Sequence, residues 1–305
     1  METTKKFKPM LKLNSKEEQL LIQKGAYIDS ISRKYIKDSL GITKKKVEAK
    51  RHSILSGPPG VGKSYGTADE CKKAKKWATT VFMAPGSSDI NIMLKLAYGV
   101  YNLKPNEELI VVLDDADDLV FGSYDDLNKW KIAMAKPDPS IGFIPSINHQ
   151  VDMRNTIKSL EKQNKEKLLE AVQHFMSEDS IGLSVPTDRV RFIILCNLDL
   201  EDPKSFRSAK LRSAVAAVLD RFKYKRINLS ADDQWGWLAH VLSITQPFEK
   251  AELNSTQKVE LLNWMRSNWN SLRSQSYRTV ESLAEAMINN PNDYKDDWRE
   301  MLKGN

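Results

Sequence analysis

The chain has two cysteines in 305 residues, Cys71 and Cys196, too few for a disulfide framework or a cysteine-built metal cage. No apolar run approaches about eighteen residues, so no membrane-spanning helix is expected. Met1 to Met10 carries Lys5, Lys6 and Lys8 and no apolar stretch, which does not read as a secretory signal. Internal repeats, heptad arrays and low-complexity tracts are also missing. So are helix-turn-helix, zinc-finger and RNP-like aromatic patterns. These absences set aside secreted scaffolds, membrane proteins and coiled coils. A cytoplasmic globular protein is the expectation.

What is present fits that class. Hydrophobic residues make up 41% and charged residues 29% of the chain, enough apolar material for an ample core. The length exceeds the usual single-core size, so two packed units are expected. The net charge of +7 is concentrated at Lys44, Lys45, Lys46, Lys50 and Arg51, then at Lys72, Lys73, Lys75 and Lys76. Such clusters either face a polyanion, nucleic acid included, or are ordinary solvated faces. Both readings stay open.

The most specific signal is Gly57-Pro58-Pro59-Gly60-Val61-Gly62-Lys63-Ser64. It matches G-x-x-x-x-G-K-[ST] at every defined position. Ile54 and Leu55 lead in as a short strand, and a helix-compatible stretch runs from Ser64 to Trp77. Glycines let successive backbone N–H groups curl around phosphate oxygens at a helix N-terminus. Lys63 is then the residue for the β- and γ-phosphates of ATP, and Ser64 a ligand for Mg²⁺.

A second site is expected about fifty residues further on. Leu109-Ile110-Val111-Val112-Leu113 reads as a strand buried on both faces, ending in Asp114-Asp115. Carboxylates there face the sheet edge where open α/β sheets bind ligands. Asp114 is the candidate Mg²⁺ ligand and Asp115 the candidate for orienting or deprotonating a water. A solvated acidic turn is the plainer reading, since Asp117, Asp118, Asp125 and Asp126 follow.

At this point the chain resembles the AAA+ ATPases over roughly residues 50 to 290, closest to their MoxR and dynein-related branch. Gly57 to Ser64 looks like the Walker A motif and Leu113-Asp114-Asp115 like Walker B. Arg191-Phe192-Ile193-Ile194-Leu195-Cys196-Asn197 looks like sensor 1, which would make Asn197 a positioner of the lytic water. Leu219-Asp220-Arg221-Phe222 resembles the arginine-finger segment, with Arg212 and Arg226 as competitors for Arg221. Ser276-Tyr277-Arg278-Thr279-Val280 resembles sensor 2, with Arg273 the competitor for Arg278. The resemblance implies an oligomeric ring, a hexamer favoured, that remodels or loads a protein or nucleoprotein partner.

The chain departs from the family in carrying Asp115 where Glu is usual. A side chain one methylene shorter falls roughly 1.5 Å short of a water held for Glu, and misplacement of that order costs about a hundredfold in rate. A nucleotide-gated scaffold with slow hydrolysis is therefore one alternative. A monomeric P-loop kinase is another, although that design needs a lid inserted in the sheet domain.

The remaining stretches give coarser expectations. Residues 1–50 form a basic lead-in with one helix from Ser15 to Ser39, marked by Ile28, Ile31 and Tyr35. A strand near Thr79 to Met83 precedes the loop Ala84 to Asp89, where the family carries a pore loop. Pro85-Gly86-Ser87-Ser88 lacks the aromatic residue usual in peptide threaders. Asp115 and Asn197 lie about eighty residues apart, more than a typical connection needs. That interval holds a helix from Tyr124 to Ala135, an insertion at about 136–186, and a long amphipathic helix marked by Ile157, Leu160, Leu168, Val172 and Phe175. Phe143 and Ile144 are either a partner-facing or pore-facing element or part of a packed insertion. After Leu229 come short helices rich in tryptophan, Trp235, Trp237, Trp264, Trp269 and Trp298, read as core. The expected architecture is an α/β P-loop NTPase domain at 51–229 with a five-stranded, mainly parallel sheet, and a small all-α lid at 230–305.

Overall fold

Apolar runs without alternation form the centre of a five-stranded sheet in which every pairing is parallel. The computed structural model describes residues 16–41, 52–74, 76, 79–83, 88–134, 140–143, 155, 157–163, 165–176, 183–206, 208–245 and 253–302. The strands are β1 (Ser53–Ser56), β2 (Thr80–Met83), β3 (Leu109–Leu113), β4 (Ser140–Phe143), β5 (Leu183–Pro186), β6 (Val190–Cys196) and β7 (Lys223–Arg226). The large sheet has the order β2-β3-β6-β1-β7, and β4 pairs antiparallel with β5 in a small separate sheet. Every residue of β1, β3 and β6 is buried, the pattern of strands covered by helices on both faces. Register aligns Ser56 with both Cys196 and Arg226, and Leu113 with Ile194. All C-terminal strand ends therefore lie along one edge.

The helices are α1 (Lys16–Ser39), α2 (Lys63–Lys73), α3 (Asp89–Tyr101), α4 (Asp117–Phe121), α5 (Tyr124–Ala133), α6 (Glu166–His174), α7 (Ala209–Arg221), α8 (Ala231–Thr245), α9 (Ser255–Ser267), α10 (Tyr277–Asn289) and α11 (Tyr294–Glu300). The chain divides into two units by its contacts. A sheet unit spans 35–57 and 64–226, and a helical unit gathers 1–34, 58–63 and 227–305.

In the sheet unit, the aliphatic strand faces and helices α3, α5 and α7 close one core around Val111, Phe192 and Ile194. Trp130 is the large aromatic there, and its indole N–H donates to the Leu119 carbonyl at 3.1 Å. Tyr35 places its hydroxyl within reach of the carbonyls of Ile54, at 3.0 Å, and of Lys223. Burial pushes that phenol's pKa upward. Sidechain caps start the helices: Ser123 accepts from Asp126 N–H and Ser208 from Leu211 N–H, both at 3.1 Å, each satisfying a donor the helix leaves open.

The long helix expected across Ile157 to Phe175 is two segments. Residues 157–162 are helical, Gln163 is a turn, and α6 begins at Glu166. The Lys165 N–H donates five residues back, to the Leu160 carbonyl, at 3.1 Å. The Lys165 carbonyl then accepts from Leu168 and Leu169 at 3.1 and 3.0 Å, so the helical ladder restarts there. Within the expected insertion, among the described residues, β4 pairs with β5 and Met176 forms an antiparallel bridge with Leu183. Ile144 and the stretch 144–154 lie outside the described residues, as do loop residues 84–87 and the basic cluster at 42–51.

The helical unit is built around tryptophan. Trp235, Trp237, Trp269 and Trp298 are buried with Leu261, Met265, Val280 and Leu283, and Leu21 and Ile28 of α1 pack against this cluster. Trp269 donates to the Ala231 carbonyl at 2.7 Å and Trp298 to the Leu283 carbonyl at 2.9 Å, so those two buried indoles are satisfied. Asn254 and Gln257 form a reciprocal capping box at the start of α9. Among the described residues, no helix is long and apolar enough to cross a membrane.

Candidate functional site

The loop Gly57–Gly62 joins the end of β1 to the first residue of α2, Lys63. Gly60 and Gly62 have φ of 79° and 77°, values that side-chain-bearing residues adopt only with strain. Space is closed as well as conformation. Within the helical unit, a Cβ on Gly60 would stand 2.5 Å from Ser276 Cβ, and one on Gly62 would stand 2.8 Å from Trp237 Cζ2. The Lys63 side chain is buried and turns back along its own loop, donating to the Pro58 carbonyl at 2.9 Å. Val61 is buried, whereas Pro59 and Gly60 are exposed. Gly57 N–H donates to the Cys196 carbonyl at 3.2 Å, tying the loop's start to the end of β6.

On the sheet unit, Ser64 donates to Asp114 Oδ1 at 2.6 Å. The two residues are fifty positions apart in sequence and meet because α2 and β3 both begin or end at the same sheet edge. Asp114 Oδ1 also accepts from Asp115 N–H at 3.1 Å, and Asp114 N–H donates to the Met83 carbonyl at 3.1 Å. Asp115 is exposed with φ of 46°, a left-handed backbone.

Asn197 follows β6 directly. Its carboxamide donates to Asp115 Oδ1 at 3.3 Å and to Asp117 Oδ2 at 3.0 Å. Two carboxylate acceptors leave one sensible orientation for the amide, nitrogen toward both. Asp117 does more than this. Its Oδ1 accepts from Asn197 N–H and Leu198 N–H, each at 2.9 Å, and Oδ2 lies 3.1 Å from Asn197 N. One carboxylate at the start of α4 thus holds the backbone and side chain where β6 ends. Sequence reasoning treated Asp117 as part of an acidic turn and missed this role. The available signal was an acid at the first position of a short helix, next to a strand whose neighbour the sequence does not name.

The candidate arginines differ in surroundings. Arg221 is the last residue of α7 and is exposed. Arg212 donates to the Phe206 carbonyl at 3.3 Å. Arg226 donates to Ser56 Oγ at 3.1 Å and pairs with Asp199 at 3.1 Å, bracing the ends of β1 and β7; beside it, burial raises the Tyr224 pKa. In the helical unit, Arg278 is the second residue of α10 and exposed, two residues after the Ser276 cap that accepts from Thr279 N–H at 3.3 Å. Arg273 instead donates to the Leu302 carbonyl at 3.0 Å.

Among the described residues no group of three or more His, Cys, Asp or Glu side chains is gathered as a metal cage. Ser64 Oγ beside Asp114 Oδ1 is a different donor set, two hard oxygens of the kind Mg²⁺ takes together with phosphate and water. On the sheet unit, Ser64 and Asp114 present adjacent oxygens, and Asn197 bridges Asp115 and Asp117.

No family model matches the chain. A curated relative from Enterobacteria phage T4, titled an uncharacterized 36.7 kDa protein in the nrdC-mobD intergenic region, is 23% identical over 258 residues, covering 83% of this chain and 67% of the relative. Among solved structures, the crystal structure of Rif2 in complex with the C-terminal domain of Rap1 is 9% identical with a TM-score of 0.35, covering 94% of this chain and 88% of that one.

Proposed function

We propose that the chain is a Mg-ATP-binding P-loop ATPase of the AAA+ type, working as an oligomeric ring that remodels or loads a macromolecular partner. The observation that carries this reading is the Ser64–Asp114 hydrogen bond of 2.6 Å, which joins the hydroxyl of the phosphate-loop motif to the first carboxylate after β3. A chance glycine-rich turn gives no reason for those two motifs to meet. Ser64 and Asp114 would hold Mg²⁺, which neutralises phosphate charge when bound. Lys63 leaves the Pro58 carbonyl for the β- and γ-phosphates. Asp115 and Asn197 orient the attacking water, and Asp117 keeps Asn197 in place. Arg221, supplied by a neighbouring subunit, stabilises charge on the transferring phosphoryl group. Arg278 senses phosphate from the C-terminal helices, the lid of this reading.

The shared site makes the test. ATPase activity per chain should rise steeply with protein concentration. Lys63→Ala should abolish binding of a fluorescent ATP analogue with the circular dichroism spectrum unchanged. Arg221→Ala should lose about 10³ to 10⁵ in turnover, and mixing it with Lys63→Ala chains should restore part of the activity. Constant activity per chain down to the monomer would overturn the ring. Unchanged ATP-analogue affinity in Lys63→Ala would overturn the site. A nucleotide-gated scaffold is the second reading, favoured by the short Asp115 side chain already engaged by Asn197; turnover near zero with tight ATP binding would select it.

A further inference from the structure

A cleft of about 700 Å³ lies on the sheet unit, between α3 and the broken helical segment around Ser159 to Leu168. Its walls include Asn91, Lys95 and Tyr98 from α3, and Asn155, Gln163 and Lys165 from the facing segment. Among the described residues, no carboxylate lines it. Around it, residues 157–168 carry Lys158, Lys162 and Lys167 against Glu161 and Glu166. The break at Gln163 and Lys165 is what brings these two side chains to the rim, since a continuous helix would turn them to different faces.

Three features together define the ligand chemistry. Lys95 and Lys165 supply positive charge for phosphate; Lys95 spends one proton on the Phe82 carbonyl at 3.4 Å and keeps two others. Tyr98 leaves 42% of its surface exposed, an aromatic face on which an unpaired base can stack. One turn along α3, Tyr101 offers a second ring and packs against His174 at 5.4 Å. The carboxamides of Asn91, Asn155 and Gln163 present paired donors and acceptors that match base edges. We propose that this cleft binds single-stranded nucleic acid, phosphates on the two lysines and a base on Tyr98. An acidic protein segment would use the lysines but has no need of the ring or the amides. Duplex is disfavoured because stacking requires a splayed base. This inference does not depend on the nucleotide site.

The test is fluorescence anisotropy of the full chain, without ATP, against a labelled oligothymidylate of about twelve nucleotides. Binding at low salt is expected, with duplex of equal length and polyglutamate as weaker competitors. Tyr98→Ala should weaken binding about tenfold, and Tyr98→Phe should restore it, which separates stacking from folding. Lys95→Gln with Lys165→Gln should lower the slope of log affinity against log salt by about 1.4, from roughly 0.7 per phosphate contact. Lys72→Gln with Lys73→Gln, a basic pair elsewhere, should change neither the Tyr98 effect nor the affinity. No binding at low salt overturns the proposal, as does unchanged binding in the cleft variants. Polyglutamate competing as well as the oligonucleotide overturns it in favour of an acidic protein partner. Loss in the Lys72 and Lys73 variant alone overturns the location.

Discussion

The two units organise their interiors in opposite ways. In the sheet unit the core is mainly aliphatic, with Val, Ile and Leu filling β3 and most of β6, and a cluster of polar residues gathers where strands stop. In the helical unit the core is built on buried tryptophans, two of which satisfy their indole N–H groups on backbone carbonyls. The first arrangement spreads stability over many interchangeable side chains and leaves the edge free for chemistry. The second concentrates stability in a few large side chains, one of which, Trp237, also closes the space beside Gly62.

Substitutions can break this contrast. Trp298→Ala should cost the helical unit about 3–5 kcal/mol, whereas Ile194→Val in β6 should cost about 0.5–1.5 kcal/mol. Urea unfolding followed by circular dichroism measures both, and equal losses would remove the distinction. Next in size is the edge. Asp117→Ala removes the acceptor of the half-buried Asn197 and Leu198 N–H groups, at about 1.5–3 kcal/mol for hydrogen bonds to a charged group. On the proposed ATPase reading, ATP turnover should fall while affinity for the ATP analogue is kept, because Asp117 touches Asn197, the water positioner of that reading, and not the phosphate loop. Asp117→Asn keeps one acceptor oxygen and should recover part of the turnover. A parallel loss of affinity and turnover would mean that Asp117 supports the whole edge.

The smallest expected effect is a pH dependence confined to the helical unit. Burial lowers the pKa of His240, Asp29 opposes the shift, and Arg33 adds to it. The folded state therefore favours neutral His240. The unfolded chain takes up a proton near the ordinary value of about 6.5, and the folded chain does so only at lower pH. Stability is complete above that value and declines as pH falls below it. Thermal unfolding between pH 7.5 and 5 should show the decline, and His240→Gln should flatten it.

Much of the fold was legible because its signals are local. The run Leu109 to Leu113 followed by two acids marks β3 to the residue, and the helix expected from Ser15 begins at Lys16 and ends at Ser39. The broken helix was not legible, since Leu160 and Leu168 stand eight residues apart, a spacing that a continuous helix also satisfies. The break shows in the backbone, in the bond from Lys165 to Leu160 and the ladder that restarts at the Lys165 carbonyl. Asp117 was hidden for another reason. Its value depends on β3 lying beside β6, and strand order is a long-range property that no local pattern encodes. Gly60 and Gly62 were legible as motif positions. That Ser276 and Trp237 occupy the space their side chains would need was not.

The left-handed backbone at Asp115 reaches beyond geometry to which residues that position can exchange. Asp and Asn tolerate such a conformation better than longer side chains, because a short polar group can bond locally. The position therefore selects for handedness as well as for charge. Asparagine removes the charge and keeps the turn, so Asp115→Asn isolates the carboxylate. Glutamate lengthens the reach but adds conformational strain, so a slow Asp115→Glu variant would report on the peptide chain and not on the water. In this protein the shorter acid is the residue that the main chain already favours.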